Sequence, residues 1–154
     1  MKPFKSKREP RLLHLEEWTA QTGKTRVLIE NPDRADLWAH ADVLRRAGYD
    51  VAMCSGPTEA GEQQEHTLCP LLTEGHCPLV EGADVVVSTT QLTDGREILA
   101  ALSARSTPAL VVEGTRSELQ REHDAIDGAV ELTLPVLPQQ IVEAVERARH
   151  GVAG

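Results

Sequence analysis

Three consecutive valines, Val85-Val86-Val87, lie between Asp84 and Ser88. Successive side chains of a β-strand point to opposite faces, so an unbroken apolar run of this kind must be covered on both. Such a strand belongs inside a parallel sheet with helices on either side. Four more short segments read as strands, at 26–29, 49–54, 109–112 and 129–133. Between them, apolar residues recur at helical spacing. Leu37, Trp38, Ala41 and Leu44 run up to Gly48, a helix stop, and Asn31-Pro32-Asp33 reads as a turn with Pro32 in the first helical turn. Ile98, Leu99 and Leu102 mark another helix, 117–126 a short polar one, and Pro138 opens a last helix with Ile141, Val142 and Val145 inward. Five strands alternating with helices imply right-handed crossovers and an α/β domain built on a parallel sheet. Ligands of such sheets gather at the carboxyl ends of the strands, which here are Glu30, Cys54, Ser88-Thr89, Glu113 and Thr133-Leu134.

Aromatic residues are only 3% of the 154, so the core must be made of Val, Leu, Ile and Ala. The formal net charge of −8 repels phosphate backbones and argues against a nucleic-acid partner. The first eleven residues are the exception, with Lys2, Lys5, Lys7, Arg8 and Arg11; they read as a solvated basic tail. Residues 1–24 form an appendage, with a short amphipathic helix through Leu12, Leu13, Leu15 and Trp18 that ends at Gly23 and packs on the domain spanning 25–150. Gly23-Lys24-Thr25 looks like the end of a phosphate-binding loop, but the upstream glycine is missing and a strand follows instead of a helix. No apolar run reaches the roughly 20 residues of a membrane span, and no signal-peptide pattern follows the basic start, so no membrane is expected and the cytoplasm is the expected compartment.

Several segments, in order, resemble the receiver domains of bacterial response regulators. Val27-Leu28-Ile29-Glu30-Asn31-Pro32 resembles the strand that ends in an acidic pair, and Arg46-Ala47-Gly48-Tyr49-Asp50-Val51 the link into the second strand. Ala83-Asp84-Val85-Val86-Val87 resembles the phospho-acceptor strand, Thr93-Asp94-Gly95-Arg96-Glu97-Ile98-Leu99 the helix start after it, and Leu134-Pro135 the Lys-Pro pair after strand five. The resemblance covers about residues 26–149 and implies a flavodoxin-like three-layer sandwich with five parallel strands in the order 2-1-3-4-5. It also implies a site in which an acidic pair holds Mg²⁺, an aspartate accepts a phosphoryl group, a Ser or Thr senses it and a Lys neutralises it. Matched position by position, the pair falls on Glu30 and Asn31, the acceptor on Thr89, the sensor on Glu113 with Thr115 close by, and the Lys on Leu134. A threonine hydroxyl is a weak nucleophile without a base. One carboxylate plus an amide makes a poor Mg²⁺ site, and leucine supplies no cation to a phosphoryl oxygen. The chain therefore reads as a degenerate, non-enzymatic receiver that acts through protein–protein contacts. In the family, the last two helices and the strand between them often form dimers, which implies a homodimer through the last helix.

The segment 55–81 is long for a connection and breaks the rhythm, so the second helix of the fold is shortened, replaced or displaced. It contains a small duplication, Cys69-Pro70-Leu71-Leu72 echoed by Cys77-Pro78-Leu79-Val80. Together with Cys54, the segment brings thiols and imidazoles close in sequence. Four readings stand: unligated core thiols; zinc held by Cys54, Cys69 and Cys77 with His66 or, less well placed, His76; a reversible Cys69–Cys77 disulfide; and haem or an iron–sulfur cluster. Three cysteines, an odd number, exclude a purely structural disulfide framework, and no cofactor is certain. Asp33, Asp36 and Asp42 read as a solvated helix face, His40 and His123 as surface residues, and Trp38 as a core or interface anchor. The rival functions are a zinc or redox sensor built on the cysteines and a small-ligand binder on a flavodoxin-like fold; the latter lacks a glycine-rich loop after strand one.

Overall fold

The computed structural model describes Trp18 and residues 23–56, 69–90 and 97–151. Five strands, β1 (Arg26–Glu30), β2 (Asp50–Cys54), β3 (Val85–Thr89), β4 (Ala109–Gly114) and β5 (Val130–Thr133), form one sheet in the order β2-β1-β3-β4-β5. Every pairing is parallel. The helices are α1 (Arg34–Arg46), α2 (Pro70–Thr73), α3 (Pro78–Glu81), α4 (Glu97–Ser103), α5 (Arg116–Glu122) and α6 (Pro138–Arg149). This is the expected flavodoxin-like architecture.

The valine run sits where its composition requires. All of β3 is buried, and its side chains divide between two cores. Val85 and Val87 join Val27, Ile29 and Val111 beneath α1 and α6, which contribute Leu37, Ala41, Leu44, Ile141, Ala144 and Val145. Val86 joins Leu28 and Val112 on the other face, beneath Leu71, Leu79, Leu99, Leu102 and Leu119. Each such side chain, fully buried, contributes roughly 1.5–3 kcal/mol.

Helix α1 starts two residues later than Pro32 suggests. Asp33 is its N-cap and accepts hydrogen bonds from the backbone of Ala35 and Asp36 at 2.9 and 3.2 Å. A carboxylate that satisfies two free helix N–H groups defines the start better than proline, which leaves Pro32 outside the helix. Asp33 is exposed, as its solvated reading expects, and adds a capping role; Asp42 is exposed too and pairs with Arg46 at 3.2 Å. Trp38 is 61% exposed, so it is no part of the core: Leu37, Ala41 and Leu44 fill the stripe that meets the sheet, and Trp38 lies beside it.

Among its described residues, the connection between β2 and β3 carries two single-turn helices, α2 and α3. Cys69 and Cys77 each stand in extended conformation before a proline at the first helical position, so the duplicated Cys-Pro-Leu motif is a duplicated structure. Each turn seals the sheet with its leucine, Leu71 and Leu79. Residues 57–68 of this connection lie outside the described residues, and His66 with them.

Trp18 ties the N-terminal segment to the domain. Its indole N–H donates to the Leu79 carbonyl at 2.9 Å, and the Arg26 guanidinium lies 5.2 Å from the ring centre. A Cβ on Gly82 would run into that ring, so the absence of a side chain there makes the seat for it. The helix expected through Leu12, Leu13 and Leu15 lies outside the described residues.

Candidate functional site

Strand periodicity separates the two residues at the end of β1. Leu28 belongs to the α2–α5 face and Ile29 to the α1–α6 face, so Glu30 turns to the first and Asn31 to the second. Glu30 is buried and its Oε2 accepts a 2.6 Å hydrogen bond from the hydroxyl of Ser88, which lies on the same face of β3. Gly56, with φ near +73°, packs against the other end of that carboxylate, and any side chain there would collide with it.

Asn31 belongs to the opposite group. Its Nδ2 donates to Oε1 of Glu113 at 3.1 Å, and its Oδ1 accepts from the Asp33 backbone at 2.9 Å. Thr89 is wholly buried and pairs in register with Glu113 on β4. Asn31, Thr89 and Glu113 are thus neighbours at the carboxyl edge of the sheet, as the resemblance implies, whereas Glu30 is turned away. Leu134 closes the edge through its backbone, donating to the Gly114 carbonyl at 2.8 Å.

Glu113 is the unusual member. It is 1% exposed, and its Oε2 has no hydrogen-bond partner. Nε2 of His40 lies 3.8 Å from that oxygen. Burial pushes the Glu113 carboxyl up to about 7; Asp36 adds to this, the Asn31 amide opposes it, and Glu30 contributes a smaller push upward. Burial lowers the His40 imidazole, with Asp36 opposing. His40 is therefore no surface residue. It sits three positions after Leu37 and beside Ala41, on the flank of the buried stripe, and that spacing was its only mark in the sequence. Asp36 likewise belongs to the electrostatics of this site. Thr115 lies outside the pocket: it caps α5 through a capping box with Glu118, whose carboxyl it lowers, and Glu118 in turn accepts from Thr90 at 3.1 Å.

The donors do not fit the Mg²⁺ that receivers hold. Glu30 is committed to Ser88 on the wrong face, the Asn31 amide to Glu113, and among the described residues no group of three or more His, Cys, Asp or Glu side chains is arranged to hold a metal ion.

The three cysteines lie in the α2–α5 core. Cys69 and Cys77 are buried there and Cys54 packs against the cluster from the end of β2; all three are free thiols. Burial pushes the Cys54 thiol up to about 12, against the Gly56 N–H that donates to its sulfur at 3.3 Å, while Glu30, Cys69 and Cys77 add smaller pushes upward. His76 is exposed, 3.9 Å from Glu74.

No protein-family profile and no curated protein sequence matches the chain. Solved structures do resemble it. The chemotaxis protein CheY4 of Vibrio cholerae is 17% identical with a TM-score of 0.58, over 81% of this chain and 98% of that one. A response regulator receiver domain from Clostridium thermocellum is 22% identical with a TM-score of 0.59, over 82% and 94%. A pilus assembly-related protein of Burkholderia pseudomallei is 17% identical with a TM-score of 0.62, over 88% and 97%. At these identities the likeness is one of fold, and the chain has the fold of the response-regulator receiver domains.

Proposed function

We propose that this domain is a signalling module that works through protein contacts without accepting a phosphoryl group. The observation that supports this best is Glu113. At the edge of the sheet where a phosphorylated receiver needs a hydroxyl to meet the phosphoryl oxygen, this chain holds a buried carboxylate in register with Thr89. A carboxyl group there offers no serine or threonine hydroxyl to the phosphoryl oxygen, its ionised form repels one, and Leu134 supplies no cation to offset that. Thr89, in the acceptor position, carries a hydroxyl that is itself a weak nucleophile.

The partner is a protein, and a second copy docking through α6 is the first candidate. Leu137, the N-cap of that helix, is 63% exposed and marks its entrance with apolar surface. Among the described residues no helix is long and apolar enough to cross a membrane. Nothing in the arrangement of the cysteines favours a zinc reading over plain core thiols.

Incubation with acetyl phosphate and Mg²⁺, followed by intact mass spectrometry, tests the central claim. The mass stays unchanged. A stoichiometric, base-labile gain of one phosphoryl group would overturn the reading.

A further inference from the structure

Glu113 and His40 approach each other from different layers, β4 in the sheet and α1 above it. Each has a buried atom without a hydrogen-bond partner, Oε2 of Glu113 and Nδ1 of His40. Two neighbouring side chains that each hold such an orphan are uncommon in a folded core, where an unsatisfied polar atom is costly. A carboxyl group escapes most of that cost by carrying its own proton, because the neutral acid loses far less on leaving water.

The surroundings favour that state. From α1, Asp36 and His40 face the carboxyl group; from the end of β1, Glu30 acts through the sheet and Asn31 donates directly. The β3 neighbour Thr89 and the β5 neighbour Leu132 carry no charge. Glu118 of α5 is reached through Thr90, whose backbone N–H donates to the Glu113 carbonyl at 2.9 Å. Among the described residues the formal charges that act on Glu113 are thus negative, and His40 is the group placed to answer its ionisation. Ionised Glu113 repels Asp36 and accepts from the N–H of a neutral His40 imidazole, and both residues lie on the first half of α1. Loss of the proton therefore changes how that helix meets the sheet.

We infer that Glu113 and His40 form a proton-binding pair that couples proton uptake to the seating of α1, so that the input read at this edge of the sheet is a proton. This rests on the reading of a receiver-like module that takes no phosphoryl group. The proton moves from solvent to a Glu113 oxygen and back, and no other bond changes. The upward push on Glu113 brings its titration to about 7, inside the range a cell experiences.

Carbon-detected NMR of the glutamate side-chain carboxyl groups, together with amide spectra over about pH 5 to 8, tests the pair. The Glu113 carboxyl is expected to titrate near 7, with the α1 amides from Asp36 to Ala41 shifting at the same midpoint. Glu113→Gln mimics the protonated acid, so its α1 spectrum at about pH 8 should match wild type at about pH 5.5, and His40→Gln should displace the midpoint. A Glu113 midpoint in the ordinary carboxylate range, or α1 shifts that persist in Glu113→Gln, overturns the inference. The wild-type titration alone decides the matter where a variant fails to fold. The same sample treated with acetyl phosphate and Mg²⁺ separates the two claims: a gain in mass defeats the phosphorylation-independent reading and leaves the titration standing, while a flat titration without a gain in mass defeats only the proton pair.

Discussion

Ser88 donates a 2.6 Å hydrogen bond to Glu30 across the β1–β3 pairing, and both side chains are buried. Removing the donor takes a short hydrogen bond from a buried carboxyl oxygen, which costs more than losing the same bond at the surface. Ser88→Ala should therefore destabilise the domain by about 2–3 kcal/mol in urea unfolding. A loss below about 0.5 kcal/mol would show that the carboxyl group finds another donor.

Val86 faces the α2–α5 core at 1% exposure. Val86→Asp places a charge there without a partner, at a cost of several kcal/mol. The variant is expected to lose its cooperative thermal transition, and an unchanged melt would contradict the central position of β3.

The pH dependence of stability has a definite sign at Glu113. The folded carboxyl titrates at about 7 against 4.5 for the ordinary group, so between those values the folded state holds a proton that the unfolded state has released. Stability from this group is complete below pH 4.5 and is lost as pH rises towards 7. At 1.36 kcal/mol per unit the loss is on the order of 2–3 kcal/mol. His40, with its pKa lowered, acts oppositely and costs stability as pH falls below 6.5. Denaturant midpoints of wild type should fall between about pH 5 and 8 while those of Glu113→Gln stay nearly level. Parallel slopes for the two proteins would remove Glu113 as the source.

The three thiols should be slow towards disulfide reagents in the folded protein. Cys69 and Cys77 are buried, and with Cys54 pushed up to about 12, its thiolate fraction at pH 8 is on the order of 10⁻⁴. Labelling with an aromatic disulfide is expected to proceed at the rate of unfolding and to rise sharply in denaturant. Immediate reaction of one thiol in native buffer would show an open path to it.

Trp18→Ala removes the indole bond to Leu79 and the ring beneath Arg26. The expected cost is about 1–2 kcal/mol, read in thermal unfolding. Gly82→Ala should act in the same direction, because the new methyl group displaces the ring.

Much of this architecture is written in local pattern. Val85-Val86-Val87 announced a strand covered on both faces, the helical spacing of Leu37, Ala41 and Leu44 announced the helix above it, and the resemblance to receivers supplied the strand order. Burial makes these features legible, because a sheet covered twice demands an apolar run and a covered helix demands a stripe. The edge of the sheet was legible in part: Thr89 and Glu113 do stand side by side, but Glu30 turned away, since period-two alternation carries adjacent residues to opposite faces. His40 could not be found from its neighbours in sequence. Its polar surroundings along the chain suggested solvent, and only the crossing of α1 over β4 brought it beside Glu113. The core reading of Trp38 failed in the reverse sense, because an apolar side chain on the margin of a helical stripe is buried only if another element reaches it. What the chain's local pattern determined was which segments must be buried. Which ionisable groups meet once they are buried was decided by the packing of layers far apart in sequence, and the proton chemistry of Glu113 and His40 arises from that contact.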